Sequence, residues 1–258
     1  MTEQLILCVS AVLAGIINSV AGGGTLLTFP SLMYALGGAE DSAVVANATS
    51  TIALFPGSLA AVWGYRHDLK GTRSSVLPLL LPSFIGGALG TWLVVSYPAK
   101  AFLLAVPWLI LLATLLFMLQ PLISRWTGIG KPHEVPSQRA LLGIVGFQFL
   151  VALYGGYFGA GIGILMLSSL ALMGSSDIHR MNAVKSLLAS LINGTSVTLF
   201  IWQDKVNWPL AIPMIVAGII GGFAGASVAR QLNKNHIRYS VIAIGLLVSA
   251  SYFVRVYG

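Results

Sequence analysis

Charge is what this sequence has least of. Asp, Glu, Lys and Arg make up 8% of its 258 residues, where a soluble domain carries about 25%. That is too little polar material to cover a surface in water, which excludes a soluble enzyme. The same shortage argues against disorder and nucleic-acid binding, and the 14 basic residues fall between apolar runs and form no continuous patch. Cysteine is nearly absent: Cys8 stands alone, so an intrachain disulfide and a cysteine metal cluster are both ruled out. In its apolar run Cys8 reads as a small packing residue. No G-x-x-x-x-G-K-[ST], H-E-x-x-H or G-x-S-x-G occurs; catalysis by those routes is excluded, and no metal or cofactor is expected. A basic n-region is missing at the start, so no cleaved signal peptide is expected.

The acidic residues are few and badly placed for ion chemistry. All seven (Glu3, Glu40, Asp41, Asp68, Glu134, Asp177 and Asp204) fall in expected loops or at segment ends. No carboxylate is left at mid-membrane for a proton relay, which also argues against cation transport. His67, His133, His179 and His236 read in the same way as interfacial polar residues.

What is present is apolar length and glycine. The chain is 57% hydrophobic, holds 29 glycines and has a mean hydropathy of +0.88, the profile of an all-α polytopic membrane protein. Crossing a hydrocarbon core takes about 20 apolar residues. Ser42–Trp63, Val76–Val95, Ala99–Leu119, Met181–Trp202, Trp208–Ala229 and His236–Val256 each suffice. Two further runs, Leu5–Leu36 and Leu141–Leu172, are interrupted by Ala21–Gly24 and by the glycine-rich stretch Gly155–Gly163. Each interior glycine weakens a helix by about 1 kcal/mol relative to alanine, so these two read as broken helices.

The order broken, long, long, long occurs twice. At an offset of 135 residues Asn47-Ala48 falls on Asn182-Ala183, Pro78 on Pro213, and Gly86-Gly87 on Gly221-Gly222. The breaks themselves align at an offset of 139, Gly22 and Gly24 with Gly161 and Gly163. This spacing predicts a duplication: residues 1–119 form a first transmembrane repeat, 120–138 a cytoplasmic linker and 139–258 a second repeat. The positive-inside rule then chooses the topology. If each broken segment crosses once, Lys and Arg divide 8 to 6 between the two sides. If each enters and returns as a re-entrant hairpin, one side holds 11: Arg66, Lys70, Arg73, Arg125, Lys131, Arg139, Arg180, Lys185, Arg230, Lys234 and Arg238. Only Lys100, Lys205 and Arg255 lie opposite. The hairpin model gives the clear bias. A hairpin plus three crossings is an odd number, so the repeats are expected to be inverted, with the N-terminus outside.

Irregular backbone at membrane depth is tolerated only where protein or a cavity surrounds it. The breaks at Gly22, Gly23 and Gly24 and at Gly159, Gly161 and Gly163 are therefore the first candidates for a site. Each frees backbone N–H groups at the start of a half-helix, near Thr25 and Gly163. A helix N-terminus carries about half a positive charge and suits an anion. Two such ends facing inward would make a midplane anion site, with tight packing as the structural alternative. Asn47 and Asn182 recur at equivalent positions and can donate to an anion or to a neighbouring helix. Lys185 is either an anion partner or a snorkelling cation near its helix end; its counterpart is Ser50. The six tryptophans, mostly near segment ends, fit an aromatic belt.

Gly15 through Leu32, reading GIINSVAGGGTLLTFPSL, resembles the first signature of the TauE/SafE sulfite exporter family. Tyr157 through Gly163, reading YFGAGIG, resembles its second. The resemblance spans nearly the whole chain. It implies a bacterial or archaeal inner-membrane transporter, usually an exporter, of sulfite, sulfoacetate or related sulfonates. The expected function is secondary transport of a small sulfur-containing oxyanion by alternating access, with an anion channel along the same pathway as the alternative. The expected partners are the anion and the bilayer, with a homodimer left open.

Overall fold

The computed structural model describes residues 2–20, 22–127, 137–173, 177–228 and 234–258. Ala21, the centre of the expected linker with Lys131, His133 and Glu134, and the segment with Ala229 and Arg230 lie outside the described residues. Within them the chain forms ten helices and no strand. The first five are α1 (Thr2–Val20), α2 (Thr25–Ala35), α3 (Ser42–Gly64), α4 (Arg73–Ser96) and α5 (Ala99–Trp126). The second five are α6 (Gln138–Tyr157), α7 (Ile162–Leu172), α8 (Ile178–Trp202), α9 (Trp208–Val228) and α10 (Lys234–Tyr257).

Six helices have the length and apolarity to cross a membrane: Ser42–Gly64, Val76–Ser96, Ala99–Trp126, Gln138–Tyr157, Ile178–Trp202 and Arg238–Tyr257. Two differences from the sequence reading stand out. Residues 120–126, expected as linker, continue α5 through Arg125, because nothing in Leu119–Ile123 except Pro121 opposes the helix. Gly155 and Gly156, expected within the second break, are helical and close α6. The break itself is only Phe158–Gly161.

The broken segments are hairpins with unequal legs. Ser169 of α7 donates to Gln148 Oε1 of α6 at 2.8 Å, so α7 folds back along α6. On the other side Leu27 and Ser31 of α2 share a surface groove with Leu5, Ile6, Val9 and Ser10 of α1. α6 has 20 residues, a length of about 30 Å, whereas the 11 residues of α7 reach about 16 Å. Each return leg, 11 residues long, has the length of about half a hydrocarbon core.

Helix packing repeats between the two fives. α1 packs on α9 as α6 packs on α4, and α3 packs on α9 as α8 packs on α4. α3 with α8 and α5 with α10 form the two self-paired contacts. Glycine makes the tightest of these approaches possible. A Cβ on Gly156 would collide with the backbone of Gly87, and one on Gly15 with the backbone of Gly218 and Gly222. Gly86 likewise lies on the Phe149 backbone, and Gly221 on that of Val12. The Gly-Gly pairs that recur in the sequence are thus crossing points between the halves. Outward faces carry Leu81, Trp92, Leu150, Ile212, Ile220 and Leu247, all exposed, the surface a lipid solvent requires.

Candidate functional site

The two breaks meet. Gly161 N–H donates to the carbonyl of Gly22 at 3.1 Å, and a Cβ on Gly22 would stand 3.4 Å from Gly163 Cα. Gly22, Gly159 and Gly161 have φ of 73°, 81° and 76°, a backbone that residues with a Cβ adopt only at a cost. α5 supports both turns: the Phe117 ring fills the space a side chain at Gly23 would need, and Ala113 with Phe117 borders Gly161. Tyr154 Oη donates to the Ala160 carbonyl at 2.8 Å, fixing the second break from within its own hairpin.

Both return helices begin here with donors to spare. In α2 the N–H groups of Leu26, Leu27 and Thr28 turn back to Gly23 and Gly24. Gly24 N–H has only a long contact, 3.5 Å, to Asn18 Oδ1. In α7 Ile164 N–H reaches Gly161. Among the described residues no acceptor meets the backbone N–H of Thr25, Ile162 or Gly163. Thr25 and Gly163 mark the two places at which an anion was expected. The N-cap residues Gly24 and Gly161 offer no side chain to compete for them.

The expected polar side chains divide. Asn47 comes to the second break: its Nδ2 donates to the Tyr157 carbonyl at 3.1 Å, and the residue is 1% exposed. Asn182 does not do the same at the first break. It donates to Ile178 O at 2.9 Å, one turn back on its own helix, and accepts from Lys185 Nζ at 3.0 Å. Lys185 is buried, 7% exposed, so its ammonium is withheld from water rather than snorkelled. One neutral acceptor satisfies one of three N–H donors. The ion pair among the described residues is Arg180–Asp177 at the start of α8, and no carboxylate is paired with Lys185. Ser50, its sequence counterpart, shares a 2.6 Å hydrogen bond with Thr28 of α2.

Aromatic residues were missed as part of the site. Phe158, inside the second break, is 2% exposed and meets Phe29 edge-on at 5.5 Å and Phe102 at 6.4 Å. Tyr157 meets Phe102 at 5.5 Å, and Tyr252 meets Phe29 at 6.1 Å. These rings form one aromatic cluster around the second break. Their sequence signal was the Tyr157-Phe158 pair embedded among glycines; the partner rings lie far apart in the chain.

Comparison with known proteins gives a consistent result. The family model described as "Sulfite exporter TauE/SafE" matches residues 7–252. The chain is 27% identical over 241 residues to the probable membrane transporter protein YfcA of Escherichia coli strain K12, covering 93% of this chain and 86% of that one. It is 28% identical over 247 residues to a probable membrane transporter protein of Haemophilus influenzae, with 95% and 92% covered. The probable membrane transporter protein YunE of Bacillus subtilis is 25% identical over 262 residues, with 93% and 95% covered.

Proposed function

The chain belongs to the sulfite exporter TauE/SafE family of membrane transporters, and from that premise we propose that it exports a small sulfur-containing oxyanion by alternating access. The observation that carries the reading is the meeting of the two glycine breaks with the N–H groups of Thr25, Ile162 and Gly163 unmatched. Half-helix N-termini aimed at a midplane site stabilise anionic groups in membrane transporters. The residues assigned to the substrate are Gly22, Gly23, Gly24 and Thr25 of the first break and Gly159, Gly161 and Gly163 of the second. Lys185 supplies the countercharge, with Asn182 orienting its ammonium. Asn47 lines the site through its bond to Tyr157.

Inverted repeats suit this reading, and helix register supports them. α3 runs parallel to α9: Thr49 meets Asn207 at 3.1 Å, and Ala53 and Gly57 meet Gly218 and Gly222 further along. With α3 and α4 read as successive crossings joined by residues 65–72, α4 and its counterpart α9 would point in opposite directions. Alternating access is favoured over a permanently open channel by the packing of Phe158 between Phe29 and Phe102, which obstructs one end of the pathway. The N-terminus is assigned to the outside of the inner membrane.

Flux of labelled sulfite and methanesulfonate from proteoliposomes tests the proposal. Efflux that saturates, rises with an inside-negative potential and falls about tenfold or more in Lys185→Met is expected; tenfold corresponds to about 1.4 kcal/mol of lost interaction. Single-channel currents in a planar bilayer, or flux of neither anion, would overturn it.

A further inference from the structure

The end of α6 presents the opposite chemistry from the start of α7. Asn47 Nδ2 donates to the Tyr157 carbonyl, which fixes the amide orientation, because the reverse assignment would set two acceptors against each other. Asn47 Oδ1 is then a buried acceptor with no hydrogen-bond partner. It lies beside the end of α6, where the Tyr157 carbonyl takes the Asn47 amide and the Gly156 carbonyl takes the Thr91 hydroxyl at 3.0 Å. Phe158 and Gly159 N–H both turn back to Tyr154 O, and among the described residues no donor reaches the carbonyls of Phe158 or Gly159. A helix C-terminus carries about half a negative charge. A buried acceptor left unsatisfied costs about 1–3 kcal/mol. The orphaned amide oxygen and the unpaired carbonyls of Phe158 and Gly159 therefore put neutral oxygens and negative potential at one helix end.

We propose that Asn47 Oδ1 and the unpaired carbonyls of Phe158 and Gly159, just past the C-terminal end of α6, bind a small monovalent cation, with Na⁺ as the fitting probe. Unwound carbonyls and half-helix C-terminal ends coordinate such ions in transporters built on broken helices. A divalent ion is the poorer match, since Ca²⁺ sites draw on carboxylates, and no acidic residue belongs to this cluster. Asn47 stands on α3 of the first five helices, while Tyr157–Gly159 belong to the second five. An ion here ties the halves together beside Phe158 and biases the pathway toward the arrangement sealed at that end, by its differential affinity for that state. This role in gating rests on the transport reading; the ion site does not.

Thermal unfolding of the purified full chain in NaCl, against choline chloride at equal ionic strength, tests the site without any substrate. Wild type is expected to show a saturable rise in Tm in Na⁺. Asn47→Leu is expected to lose that rise, and Asn47→Asp to reach it at several-fold lower Na⁺. Equal Tm in Na⁺ and choline, the result expected if ordered water fills the place, overturns the inference, as does an undiminished Na⁺ response in Asn47→Leu. If Asn47→Leu fails to fold, Asn47→Asp and wild type still decide. Repeating the scan with sulfite in choline tests the anion reading separately: loss of the sulfite response leaves the Na⁺ result standing, and the reverse holds.

Discussion

The backbone angle of a single glycine decides much of the site. Gly161 has φ 76°, yet its nearest neighbours would stand 3.6 Å from an added Cβ. Space is available there and conformation is not. Gly161→Ala should therefore lose about 1–2 kcal/mol through left-handed strain alone, read as lower stability in denaturant with helix content by circular dichroism unchanged. Gly23 is the opposite case. Its φ is not in the left-handed region, but a Cβ would enter the Phe117 ring, so Gly23→Ala acts through overpacking, about 1–3 kcal/mol. Phe158→Ala removes a buried ring among Phe29 and Phe102 and should cost about 3–5 kcal/mol. It should also admit a thiol reagent to a cysteine placed at Thr25, and unchanged labelling would show that Phe158 is not a seal. The glycines were legible in the sequence, since three in succession weaken a helix wherever they fall in an apolar run. Phe29, Phe102 and Tyr252 were not, because an aromatic residue in a membrane helix looks the same whether it faces lipid or a partner ring.

Helices are broken or joined here by what lies against them. The sequence located both interruptions, yet assigned Gly155 and Gly156 to the second one. Within α6 these glycines serve contact: Gly156 lies on Gly87 of α4, and Gly155 lies under Ile162 and Ile192. A glycine that permits close approach and a glycine that breaks a helix are the same letter. Only the neighbour distinguishes them. Gly143 and Gly146, on the same helix, have nothing within 4 Å of an added Cβ. Alanine at either should be neutral or stabilise by up to about 1 kcal/mol, whereas Gly156→Val should separate α6 from α4 and lower yield and Tm sharply. Comparing the melting temperatures of these variants checks the assignment. Equal effects at Gly146 and Gly156 would contradict the crossing. The matching approach of Gly15 to Gly222 predicts the same severity for Gly15→Val.

On the scale of the whole molecule, orientation is read by a two-sided labelling experiment. With Cys8 replaced by serine, single cysteines at Glu40 and Arg180 should react with a membrane-impermeant maleimide from opposite faces, Glu40 from outside. Labelling of both from one face would sink the inverted arrangement. Hydropathy and glycine placement already determined a helical membrane protein with two broken apolar segments. These are properties of segments, set by the cost of burying charge and backbone in lipid, and they can be read one segment at a time. The recurrence of Asn47 and Asn182 in the sequence suggested equivalent roles, but tertiary structure gave one to the Tyr157 carbonyl and the other to Lys185. It also brought Gly22 against Gly163 and Phe158 between two distant rings. A side chain's partner depends on which helices cross and at what level. That is fixed by packing across the whole assembly, where a shift of one residue along a helix moves a group by about 1.5 Å and turns it to another face.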